Sequence, residues 1–192
     1  MPGRLTLGPL LVSRGERVIL RERRDSDIED RLRDPTAPGE DDHYGSSWRR
    51  EWDGRRYHPR EHLAAGHGPA EPGSHRWAVE HEGRCIGSAG LRVDADQHCP
   101  IDTLGVFAPG LRGQGLGREI TRLVLTRASG VLGAHRVELE VLAGNSRAIG
   151  CYRACGLRQE GIRRHDFILM AVLQPEKRIR SLGHPPSGPD RA

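Results

Sequence analysis

Apolar and polar positions alternate from Arg136 to Val141, with Val137, Leu139 and Val141 on one side and Arg136, Glu138 and Glu140 on the other. A period of two predicts a strand with one buried face. Just upstream the period changes to 3.6. Ile120, Leu123, Val124, Ala128, Val131 and Leu132 fall on one face of a helix predicted over Arg118–Leu132. The same two periods sort the rest of the chain. Strand-like runs occupy Arg17–Arg21, Trp77–His81, Cys85–Val93 and Thr103–Phe107, and a Glu82-Gly83 turn joins the second and third into a hairpin. Ser146–Cys155 reads as a further helix closed by Gly156, and Gln159–Arg164 with Phe167–Leu173 as a final hairpin. Ser26 followed by Glu29 is a capping-box signature, predicting a short helix to Leu32 that stops before Pro35.

The order is thus β, α, an irregular segment, β-β-β, α, β, α, β-β. It predicts an α/β sandwich around a mixed sheet, not a run of βαβ repeats. The irregular segment, 34–74, is rich in Gly, Pro, His and charge; it holds Tyr44, Trp48, Trp52 and Tyr57 but few aliphatics. Loops of that length inside one domain are functional or partly helical, and Glu61–Ala65 suits a short helical piece. Residues 1–16 form a loosely ordered lead-in with room for one edge strand. Residues 17–174 make a single domain, and 175–192, with Pro185, Pro186 and Pro189, a disordered tail.

Composition narrows the function classes. A 192-residue chain buries roughly 70% of its unfolded surface, enough for a core without disulfide staples. The most apolar N-terminal run, Leu5–Val12, is short and broken by Gly8 and Pro9, so neither a signal peptide nor a membrane span is expected. Net charge is only +4, and every basic residue but Lys177 is Arg. The arginines are scattered among acids without the stacking aromatics a single-strand binder uses, which leaves nucleic-acid binding as an alternative resting on arginine content alone. Cys85, Cys99, Cys151 and Cys155 show no C-x-x-C spacing, which predicts reduced thiols in the cytoplasm. Cys151 and Cys155 could share a helix face, but zinc wants two more ligands, and His98-Cys99 reads as a turn before Pro100. No metal is expected.

The strongest chemical signal is Arg112-Gly113-Gln114-Gly115-Leu116-Gly117, set between a strand and the best-patterned helix. Glycines there let backbone amides approach a ligand, and a helix N-terminus adds orphan donors and a positive dipole end that favour phosphate. The dinucleotide fingerprint is not met, since Arg118 stands at its third glycine, and no Gly-Lys-Ser/Thr marks a nucleotide triphosphate loop.

This loop resembles that of the GNAT superfamily of acyl-CoA-dependent N-acetyltransferases, which reads Gln/Arg-x-x-Gly-x-Gly/Ala. Arg112, Gly115 and Gly117 satisfy it, and Phe107-Ala108-Pro109 matches the end of the family's preceding strand. Downstream the family carries an Asn, then a Tyr and Gly-Phe; here Asn145, Tyr152 and Gly156-Leu157 fit, with Leu in place of Phe. Val18-Ile19-Leu20-Arg21 with Asp25-x-Asp27, and Glu160–Arg164, look most like the branch that contains ribosomal-protein N-terminal acetyltransferases. One departure is the connection of the last two strands by only His165-Asp166, shorter than in that branch.

The resemblance implies a mostly antiparallel GNAT sheet and acetyl-CoA as cosubstrate, with direct transfer to an acceptor amine on a small molecule or peptide. Neither a membrane nor a nucleic-acid partner is implied, and the oligomeric state, including a homodimer, stays open. Pyrophosphate would sit on Gly113, Gln114, Gly115, Leu116, Gly117 and Arg118, next to Arg112. A backbone N–H at Val106-Phe107 would meet the oxyanion, and Asn145 would hold the pantetheine arm or a water. Tyr152 would protonate the departing thiolate. Two acids compete as base, Glu140 and Asp102, each also explicable as the polar face of a strand. Glu40–Tyr44, with Trp48 and Trp52, lies where such enzymes build an acceptor lid. A CoA-binding sensor without turnover is the alternative function.

Overall fold

A computed structural model of the chain describes residues 12–33, 72–94, 96, 98–163 and 166–173. These form strands β1 (Ser13–Arg14), β2 (Ile19–Arg21), β3 (Ser74–His81), β4 (Arg84–Arg92), β5 (His98–Val106), β6 (Arg136–Leu142), β7 (Arg158–Arg163) and β8 (Phe167–Leu173). Helices α1 (Ser26–Arg33), α2 (Leu116–Gly130) and α3 (Ser146–Arg153) complete the set. The sheet runs β1-β2-β3-β4-β5-β6-β8-β7, antiparallel at every step except β5–β6, which is parallel. The expected mixed α/β architecture is present.

Most elements form where periodicity places them. Val137, Leu139 and Val141 turn into the core with Ile120, Val124 and Ala128 of α2. The β3–β4 hairpin closes through Glu82 and Gly83, both at positive φ (50° and 77°), the backbone that matches strand twist in a two-residue turn. The lead-in supplies an edge strand, β1, paired with β2. The Glu61–Ala65 helix and the tail lie outside the described residues.

Three expectations need correction. β5 begins at His98, not Thr103, so the turn expected before Pro100 is strand. Pro100 fits because it stands past the last β4 pair (Leu91↔Ile101) and at the last β6 pair (Pro100↔Glu138), where a missing N–H falls at ladder ends. α2 starts two residues early on Gly115 and stops at Gly130, which leaves Val131 58% exposed instead of in the core. In α1 the reach-back comes from Asp27, whose carboxylate accepts from the Arg24 N–H at 2.8 Å, while Ser26 already lies in the helix.

Asp27 is held in turn by Arg21, whose fork donates to both carboxylate oxygens at 2.9 and 2.7 Å and whose Nε donates to Glu80. Arg21 and Asp27 are buried, so the bidentate pairing offsets the desolvation of both charges and ties β2, α1 and β3 together. It also fixes α1 on the face of the sheet opposite α2. On the α2 face, Arg127 stacks its guanidinium 5.2 Å from the buried Trp77 ring and donates to Ser13 Oγ at 3.0 Å.

Candidate functional site

β5 and β6 share only three ladder pairs, His98↔Arg136, Cys99↔Val137 and Pro100↔Glu138. Beyond them β5 stays with β4 as far as Gly87↔Val106, and β6 stays with β8 as far as Leu142↔Phe167. The sheet therefore splits into a wedge walled by 101–106 and 139–142. A bulge initiates the split: Leu91 faces Ile101 and Gly90 faces Thr103, so Asp102 is the extra residue that bends β5 away. At about 3.3 Å per residue the wedge runs ~20 Å from Pro100 to Val106, a slot for an elongated ligand at the carboxyl ends of parallel strands.

The glycine loop stands at the mouth of this wedge. Gly113 (φ 79°) and Gly115 (φ 86°) occupy the left-handed region, and Gly115 caps α2, its carbonyl accepting from the Arg118 and Glu119 N–H groups at 3.0 and 3.3 Å. The first amides of α2 are thereby presented to an anion. Buried Leu116 anchors the loop in the core. Arg112 ties the loop to the strand it leaves, donating to the carbonyls of Val106 (3.0 Å) and Phe107 (3.3 Å). Gln114 braces it internally through Gly110 O at 2.8 Å. Gly117 differs from its neighbours in lying within α2, outside the left-handed region. A Cβ there would stand 3.5 Å from Cys151 Sγ of α3, an ordinary contact that leaves room for a small side chain.

Two residues that the pattern did not single out complete this end. Glu119 Oε1, in the first turn of α2, accepts from the backbone N–H groups of Arg17 (2.7 Å) and Val18 (3.1 Å). Arg17 reaches the loop itself: Nη1 donates to Gln114 O at 3.0 Å, and Nε lies 3.4 Å from Glu119 Oε2. Burial alone would raise the Glu119 carboxyl, but the two N–H donors and the Arg17 guanidinium outweigh it and hold the group below the usual carboxylate range. Periodicity marks Arg17 only as the start of a strand; the polar Gly15-Glu16-Arg17 turn was the available hint.

The remaining candidates flank the wedge. Asn145 caps α3 with Oδ1, accepting from the Ala148 N–H at 3.1 Å. Tyr152, about two turns along the same helix, is 8% exposed and belongs to the core cluster. Asp102 and Glu140 both lie on the sheet face opposite α2, on the two walls of the wedge. The Asp102 carboxylate occupies the space a side chain at Gly90 would need, with Oδ1 2.5 Å from that Cβ position and Arg76 Cγ 3.5 Å from it. The Glu140 carboxylate is engaged by Arg163 Nε at 3.0 Å. Of the two expected oxyanion donors, the Phe107 N–H is already committed to Ile86 O at 2.9 Å, and its ring lies 4.6 Å under the Arg31 guanidinium.

All four cysteines are unbridged. Burial pushes the Cys85 and Cys99 thiols up to about 11, and it raises Cys151 and Cys155 as well. Among the described residues no three His, Cys, Asp or Glu side chains gather as a metal site would need. No helix among them is long and apolar enough to cross a membrane. The acidic-aromatic stretch at Glu40–Tyr44, Trp48 and Trp52 lies outside the described residues.

Known proteins resemble this chain in sequence and in fold. Residues 35–157 match the model of the Acetyltransferase (GNAT) family. The N-alpha-acetyltransferase RimI of Mycobacterium tuberculosis is 32% identical over 102 residues, 51% of this chain and 61% of that protein. The spermidine N(1)-acetyltransferase of Vibrio cholerae is 28% identical over 74 residues, 38% of this chain and 43% of that one. The matched region thus spans about half the length of such curated relatives. A crystal structure of Vibrio cholerae spermidine N-acetyltransferase with CoA and spermine superposes with a TM-score of 0.65 at 20% identity, covering 83% of this chain and 97% of that one.

Proposed function

The chain belongs to the GNAT family of acetyltransferases, and on that premise we propose that it transfers the acetyl group of acetyl-CoA to a primary amine. The observation that carries this reading is the phosphate-suited start of α2 standing at the mouth of the β5–β6 wedge. A cosubstrate with phosphates at one end and a thioester at the other fits that order of features. Relatives named as an N-alpha-acetyltransferase and a spermidine acetyltransferase support two acceptor classes, peptide N-termini and polyamine-like small molecules.

Holding both reactants in one cleft supplies much of the acceleration. The acceptor nitrogen attacks the thioester carbonyl, the C–S bond breaks, and the thiolate leaves. Asp102 is the base we favour for the ammonium proton, because the Glu140 carboxylate is already engaged by Arg163. Tyr152 donates the proton that the thiolate takes. Reduced thiols fit a cytoplasmic setting.

Free-CoA release measured against a panel of N-terminal peptides and amines tests the activity. Turnover with at least one acceptor class is expected; acetyl-CoA binding with no turnover on any would instead favour a CoA-binding sensor. The pH profile of kcat/KM tests the base. Asp102→Asn should remove its acidic limb, and loss of the limb in Glu140→Gln alone would transfer the role.

A further inference from the structure

We propose that Arg17, from outside the glycine loop, contacts the phosphates of the cosubstrate directly; this rests on the acetyl-CoA reading of the site. Three observations lead there. The β1–β2 hairpin turns back at Gly15, whose N–H donates to Val18 O at 2.8 Å, and this places Arg17 against the start of α2. Glu119 then fixes it: one carboxylate oxygen accepts the N–H groups of Arg17 and Val18, and the other faces Arg17 Nε. The guanidinium finally lies along the loop, with Nη1 on Gln114 O at 3.0 Å and Nη2 3.2 Å from where a Gly115 Cβ would stand.

A guanidinium carries five N–H groups. Nε and Nη1 are occupied by Glu119 and the loop, while Nη2 lies at the Gly115 cap, where the α2 amides begin. The side chain is 43% exposed, so solvent or a ligand reaches it. A planar fork held at one end and open at the other suits bidentate phosphate binding. Glycine at 115 also serves this contact, since any side chain would crowd Nη2. Sequence motifs of the loop alone do not include this cation, because it arrives from a hairpin nearly a hundred residues earlier.

The alternative is that Arg17 only braces the loop through Gln114. Calorimetric titration of the full chain with acetyl-CoA at several salt concentrations separates the two. A contact cation is screened by salt, whereas a brace acts through geometry. Arg17→Gln should weaken acetyl-CoA binding about tenfold at low salt and flatten the dependence of Kd on ionic strength. Arg17→Lys keeps the charge without the fork, and should keep the salt dependence with an intermediate affinity. Unchanged affinity in Arg17→Gln, or a loss with the wild-type salt dependence, would overturn the contact. Wild-type protein that fails to bind acetyl-CoA would overturn the reading beneath it. Circular dichroism of each variant excludes unfolding as the cause of any loss.

Discussion

The three glycines of the loop look equivalent as letters and are not equivalent as positions. Gly113 and Gly115 sit at φ 79° and 86°, where a Cβ costs roughly 1–2 kcal/mol, whereas Gly117 lies within α2 and faces Cys151 at ordinary contact distance. Gly115→Ala should therefore weaken acetyl-CoA binding at least fivefold by calorimetry, through strain at the cap and crowding of Arg17, while Gly117→Ala binds within twofold of wild type. Equal losses at both positions would mean that Gly117 also admits the ligand. Tyr152 poses a sharper question, because its ring is part of the core whatever its hydroxyl does. Tyr152→Phe keeps that packing, so a purely structural role leaves kcat almost unchanged. A proton donor predicts a kcat loss of roughly 10²–10⁴-fold with acetyl-CoA affinity little altered. Single-turnover rates check it. The motif residues were legible in the sequence because spacing survives folding. Arg17 and Glu119 were not, since a 102-residue separation hides their contact from any local pattern.

Elements were legible where one face meets the core, and blurred where topology overrides local chemistry. β6 and β8 follow their apolar patterns closely, but β5 runs through His98-Cys99-Pro100 because parallel pairing with β6 recruits residues whose local signal is a turn. The wedge itself was not readable: it depends on a single unpaired residue, Asp102, in a ladder between strands whose register sequence alone does not give. At this scale the dock of the β1–β2 hairpin on α2 makes a pH-dependent contribution. Glu119 is held below the ordinary carboxylate value of 4.5 in the folded chain. Its stabilisation is thus complete at neutral pH, begins to decline once pH drops below that value, and is gone once pH has fallen through the lower folded one. Thermal unfolding should show Glu119→Gln less stable than wild type at pH 7, with the two melting temperatures converging in acid. A gap that stays constant down to about pH 3, below the unperturbed value, would assign the effect to packing instead of charge.

In the whole molecule, the two halves of the sheet meet through three ladder pairs and the helices that cover them. Each half is otherwise well paired: β1 to β5 form one continuous antiparallel set, and β6, β8 and β7 the other. A ligand lying in the wedge would touch both halves, through the α2 loop on one side and the start of α3 on the other. It would bind the folded chain and not the unfolded one, because the loop amides and the wedge walls come together only on folding. Mass action then fixes the size of the response. At acetyl-CoA concentrations 100-fold above Kd the folded state gains about 2.7 kcal/mol, and in a chain of this size each kcal/mol moves Tm by roughly 2–4 °C. The melting temperature should therefore rise by about 5–10 °C with acetyl-CoA, and the rise should grow with the logarithm of ligand concentration. Gly115→Ala, compared with wild type at the same ligand concentration, should show a smaller rise from its own ligand-free baseline. A wild-type melting temperature indifferent to acetyl-CoA would mean that the wedge does not take this ligand, and the proposed cosubstrate would fall with it.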